Sequence, residues 1–124
     1  MVKRPQGLLA AVLCAIALVT PALEARAHAI LVASQPQQNA ELAGPEVDFR
    51  LEFNSRIDAS RSSLQLAKDG AQPEPLALGK TTEPNLLVAK APELAPGSYR
   101  LRWQVLSIDG HVSRGDLNFR VRAP

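Results

Sequence analysis

The sequence predicts an all-β domain over residues 28–124: an antiparallel Greek-key sandwich of about seven short strands. Three observations lead there. Three segments alternate apolar and polar side chains with a period of two, as half-buried strands do. Turn-forming residues separate short apolar runs at regular intervals. No stretch shows helical periodicity, and the chain's 10 prolines suit strand edges and turns better than helices.

Taken in order, Ala29–Ser34 is a candidate first strand, placed as an edge strand near the segment after Val105. From Glu46 to Phe53 the alternation is clean: Val47, Phe49, Leu51 and Phe53 face one way, and Glu46, Asp48, Arg50 and Glu52 the other. Ser62–Lys68 runs into an Asp69-Gly70 turn, and Leu76–Leu78 and Leu86–Ala89 follow. Tyr99, Leu101, Trp103 and Val105 alternate with Arg100, Arg102 and Gln104; Leu117, Phe119 and Val121 alternate with Asn118, Arg120 and Arg122. Turn signals stand at Asn39, Gly44-Pro45, Gly79, Pro84-Asn85 and Pro96-Gly97. The pattern suits an immunoglobulin-like sandwich. Trp103 is expected in its core, and Tyr99 at a corner with its hydroxyl capping a nearby backbone group. Arg100, Arg102, Arg120 and Arg122 are expected on solvated outer faces, where they also deter edge pairing.

Residues 1–27 have the form of a secretory signal peptide: Lys3 and Arg4, a 12-residue apolar run from Leu8 to Val19, then a small-x-small cleavage signal at Ala25-Arg26-Ala27. The run is too short to cross a bilayer, so the mature chain is expected to have no membrane span and to reside in the periplasm. Cleavage after Ala27 leaves one domain of 97 residues, although Ala27-His28-Ala29 is a second small-x-small site. The whole chain has 14 Lys and Arg against 12 Asp and Glu; Lys3, Arg4, Arg26 and Glu24 leave with the leader, so the remainder has 11 of each. No basic stripe is visible along this neutral chain, which argues against nucleic acid as a partner. Met1 and Cys14 also leave, and with them every sulfur ligand. Thiolates and thioethers select Cu(I), whereas imidazole, amine and carboxylate suit Cu(II).

The only two histidines are placed suggestively. After cleavage at Ala27, His28 offers its α-amine and ring to one metal in a closed chelate. The amine's ordinary pKa near 7.7–8.0 lets a strong Lewis acid displace its proton at neutral pH. His111 lies in Ile108-Asp109-Gly110-His111, and Asp109 and His111 share a face if that segment is extended. His28, Asp109 and His111 therefore make a candidate metal site, with one Cu(II) per chain as the expected occupant and Zn(II) as the alternative.

The chain resembles the CopC/PcoC family of periplasmic copper-binding, copper-resistance proteins. The resemblance rests on His28-Ala29, Ser34-x-Pro36, Phe49-x-Leu51-x-Phe53-Asn54 and, most specifically, Leu94-x-Pro96-Gly97-x-Tyr99-x-Leu101-x-Trp103-x-Val105-x-Ser107-x-Asp109-Gly110-His111, continued by Gly115-x-x-x-Phe119-x-Val121. It implies a cupredoxin-like or immunoglobulin-like β-sandwich and a Cu(II) site at His28, Asp109 and His111. Two positions depart from the family pattern: Val112 stands where a proline often follows the motif histidine, and Asn54-Ser55-Arg56 replaces a Ser-Glu-Pro. Some members also carry a methionine-rich Cu(I) site, which this chain lacks the residues to build.

The function these features imply is a non-enzymatic copper carrier or buffer of copper homeostasis or resistance. An inner-membrane copper-uptake protein of the CopD type is the expected recipient. Two alternatives belong to other classes. A small copper oxidoreductase would use the histidine brace that lytic polysaccharide monooxygenases have, though the chain shows no aromatic substrate platform. A metal-free immunoglobulin-like interaction module would make both histidines incidental.

Overall fold

A computed structural model describes residues 28–124; the leader expected over 1–27 lies outside the described residues. Eight strands form: β1 (Leu31–Gln35), β2 (Ala40–Leu42), β3 (Val47–Phe53), β4 (Ile57–Lys68), β5 (Glu74–Leu76), β6 (Leu86–Ala91), β7 (Gly97–Ser107) and β8 (Val112–Val121). They make a sandwich of a three-stranded sheet, β1-β3-β6, on a five-stranded sheet, β2-β8-β7-β4-β5. The expected all-β sandwich is therefore present. No helix among the described residues is long and apolar enough to cross a membrane.

The core lies where the alternation puts it. Val47, Phe49, Leu51 and Phe53 of β3 are buried against Tyr99, Leu101, Trp103 and Val105 of β7 and Leu117, Phe119 and Val121 of β8. Aromatic rings tie the two sheets: Phe53 meets Trp103 edge-on at 5.2 Å, and Phe49 meets Phe119 at 5.5 Å. The Tyr99 hydroxyl donates to the carbonyl of Ala95 at 2.6 Å, the corner expected for it. A side chain at Gly115, directly across from Trp103, would overlap the indole ring.

Departures fall where local pattern is weak. β4 begins at Ile57, five residues before the expected Ser62, because a register shift between Asp58 and Ser63 breaks its alternation. There the Ser62 hydroxyl donates to the Asp58 carbonyl at 2.7 Å and accepts the Leu106 N–H at 3.2 Å, standing in for ladder partners. The strand expected at Leu76–Leu78 divides between sheets: Leu76 pairs with Leu64 of β4, while Leu78 bridges to Ala89 of β6. β2 has no counterpart in the sequence pattern, and its three residues pair in parallel with the end of β8. β7 is an interior strand and Arg120 of β8 pairs with Glu41 of β2, so Arg100, Arg102 and Arg120 have no edge to protect.

Candidate metal centre

Two chain segments meet at one end of the sandwich. The first is the entry into β1. Ala29 is only 3% exposed and packs into the core, which anchors its neighbour His28 at the rim. Asn54, just beyond β3, clamps the next residue from both sides. Its side-chain oxygen accepts the Ile30 N–H at 2.8 Å, and its own N–H donates to the Ile30 carbonyl at 3.0 Å. β1 is an edge strand as expected, but its ladder partner is β3, with Leu31 opposite Phe53.

The second segment is the loop between β7 and β8. Gly110 N–H donates to the Ser107 carbonyl at 2.9 Å, and Ser107 N–H to the His111 carbonyl at 2.8 Å, closing a tight turn. Gly110 has φ +92°, which costs a glycine little and a side-chain-bearing residue much. Ile108 N–H reaches the Arg56 carbonyl at 3.3 Å, tying the loop to the β3–β4 connection. Residues 109–111 therefore turn rather than extend, and strand alternation is not what unites Asp109 with His111. Instead Asp109 Oδ1 accepts the His111 backbone N–H at 3.2 Å, an Asx-type turn, and Oδ2 lies 3.0 Å from the ring Nδ1. The His111 N–H, with the ring contact adding to it, holds the Asp109 carboxyl below its ordinary value against a smaller opposing effect of burial.

The His28 and His111 rings face each other with centroids 5.6 Å apart and planes inclined at 66°. Metal–imidazole bonds of about 2 Å place two rings sharing one ion roughly 4.5–6.5 Å apart. The spacing thus suits a shared ion. With its Nδ1 engaged by Asp109, His111 has Nε2 left for a metal, the arrangement in which a carboxylate fixes a ligating imidazole. Asp109 itself is turned to His111, and among the described residues no three His, Cys, Asp or Glu side chains converge on one point. The structure therefore unites His28 with His111 and Asp109 with His111, but does not preassemble all three.

Asn54 is the residue that sequence reasoning passed over. A hydrogen bond to Ile30, 24 residues away, has no local signature in Phe53-Asn54. Val112, in the proline's place, opens β8 opposite Leu106, so the turn is closed by backbone hydrogen bonds rather than by a rigid ring.

Fold and site define a β-sandwich with a histidine-bearing rim, and the comparisons assign its class. The family model described as the CopC domain matches residues 31–122, and the chain belongs to that family. The matched span includes Asp109 and His111 and begins three residues after His28. Copper resistance protein C of Xanthomonas campestris pv. juglandis is 31% identical over 104 residues, covering 77% of this chain and 81% of that one. Among solved structures, CopC from Methylosinus trichosporium OB3b superposes with a TM-score of 0.69 at 31% identity, covering 77% of this chain and 94% of its own. PcoC, described as a methionine-rich copper resistance protein from Escherichia coli, gives 0.66 at 29% identity, covering 77% of this chain and all of its own.

Proposed function

We propose that this protein is a periplasmic copper carrier or buffer, a binding protein and not an enzyme, that holds one Cu(II) per chain. Its ligands are the amine and ring of a mature N-terminal His28, the ring of His111 and the carboxylate of Asp109. The 5.6 Å approach of the two rings carries this reading, because it joins residues from opposite ends of the chain. Relatives named copper resistance protein C support copper as the cargo. The oxidation state follows from donor chemistry: PcoC is described as methionine-rich, whereas this chain has one Met and one Cys, both in the leader.

The buried Ala29 supports cleavage after Ala27, since cutting after Ala29 would remove a core side chain along with His28. Four exposed large apolar side chains support hand-over to a protein partner, for which an inner-membrane uptake protein of the CopD type is our candidate. Ile30 and Val32 follow His28, and Ile108 and Val112 flank the Asp109–His111 turn. Exposed apolar groups gathered at one place mark interaction sites.

Intact mass and Cu(II) titration of the exported protein, followed by electron paramagnetic resonance, test the proposal. The expected result is a chain beginning at His28 that binds one Cu(II) in a tetragonal nitrogen–oxygen field. Adding one residue before His28 should abolish the amine chelate and weaken binding strongly. A chain that begins at Ile30, or an extended protein of unchanged affinity, would overturn it.

A further inference from the structure

The outer face of the five-stranded sheet carries a charge pattern that metal binding does not use. Arg100 and Arg102 of β7 and Arg114 and Arg120 of β8 all point away from the core and are exposed. The register sets them in one field: Arg100 opposite Asn118, Arg102 opposite Asp116, Arg114 opposite Gln104 and Arg120 opposite Ser98. Only Arg102 meets a carboxylate, Asp116 at 3.3 Å. Arg114 donates to Gln104 at 2.7 Å and Arg120 to Ser98 at 3.2 Å; Arg100 forms no ion pair among the described residues.

The opposite outer face behaves differently. There Lys90 reaches Glu46 at 2.9 Å and Asp48 at 3.6 Å, and Arg50 reaches Glu83 at 3.0 Å, so the cations of β3 and β6 are both matched. A domain with equal numbers of acids and bases is thus polarised across its two faces, and the unmatched positive side is the arginine field. Arg100, Arg102 and Arg120 also line a cleft of about 540 Å³, flanked by the Asp69-Gly70-Ala71 turn on one side and by Asn39 and Glu41 on the other.

We propose that this cleft and the arginines along it dock an acidic segment of a partner protein, an extended stretch carrying several Asp or Glu carboxylates. Guanidinium groups form planar, two-pronged hydrogen bonds with carboxylates, and an unmatched positive field speeds the encounter with an acidic partner. A protein segment fits better than an anionic membrane. The cleft is a recess between the 69–71 turn and the Asn39–Glu41 segment, which suits a narrow extended chain better than a broad headgroup layer, and none of the exposed large apolar side chains that could enter a bilayer lines it. From Arg100 to Ser107 is seven residues of strand, roughly 23 Å. A docked segment therefore leaves the His28–His111 end open, and the inference stands or falls independently of copper.

The test uses the exported protein, a labelled 12-residue alternating Glu-Ser peptide, the same peptide with Gln for Glu, and phosphatidylglycerol vesicles. At low salt the Glu peptide should bind saturably and shift backbone amides of β4, β7 and β8, while the Gln peptide does not bind. Arg100→Glu/Arg120→Glu should weaken binding about tenfold, with thermal midpoint and Cu(II) titration unchanged. Arg100→Gln/Arg120→Gln serves the same purpose if charge reversal impairs folding. The proposal is overturned if the Glu peptide does not bind, if the variants bind it equally well, if the shifts lie elsewhere, or if only the vesicles bind.

Discussion

Single residues decide whether the rim can hold a metal. His28→Ala and His111→Ala each remove a ring from the 5.6 Å pair, and each should lower Cu(II) affinity on the order of a hundredfold or more, measured by competition titration. Asn54→Ala tests a subtler dependence. It leaves all the proposed ligands in place but deletes the side-chain anchor of the Ile30 N–H. Loosening the segment that presents His28 should weaken Cu(II) about tenfold, the effect expected of an outer-shell support. Unchanged affinity in Asn54→Ala would mean that Ala29 alone positions the N-terminus. Both histidines and Asp109 were legible in the sequence as candidates, because their residue types suit metal chemistry. Asn54 was not, because its partner Ile30 lies 24 residues away, just ahead of β1.

Among the elements, the start of β7 and its pairing with β8 carry predictions about stability. Burial pushes the Tyr99 hydroxyl above its ordinary value near 10. The folded state therefore favours the neutral phenol. That contribution is complete below about pH 10 and disappears as pH rises through the raised value. Tyr99→Phe loses the bond to the Ala95 carbonyl and should cost about 1 kcal/mol at neutral pH. It should also remove part of the alkaline loss of stability, and urea unfolding at pH 7 and pH 11 reads both effects. Gly115→Val drives a side chain into the Trp103 indole and should cost about 2 kcal/mol, with a change in tryptophan emission. The strong alternation of β3, β7 and β8 made these elements readable, since one face of each is buried. Short β2 and β5 carry no such signature; their pairing depends on which neighbour tertiary packing brings alongside.

At the scale of the whole molecule, the described domain closes around one core without a sulfur atom, so it has modest stability of its own and much to gain from a ligand. An ion that binds only the folded state should add about 4 kcal/mol at a free concentration a thousandfold above its dissociation constant. Calorimetry of the exported protein should therefore show a thermal midpoint that climbs with Cu(II) and returns on chelation. An N-terminally extended form should show little of this gain, because its amine is blocked. The same closure explains how a neutral chain acquires a basic face. Arginines spread between residues 100 and 120 become neighbours only when β7 lies against β8.

By itself the sequence determined the all-β class, the inward faces of the long strands, the absence of Cys and Met after residue 27 and the residue types of the candidate metal site. All of these depend on residue type and short-range spacing, which a linear chain displays. Tertiary structure alone decided that His28 meets His111, that Asp109 grips His111 through a turn, that Asn54 holds the N-terminal segment, and that the arginines share one surface. Each is a contact between segments far apart in sequence or a backbone turn that strand periodicity does not predict. The register of the packed strands is what brings them together.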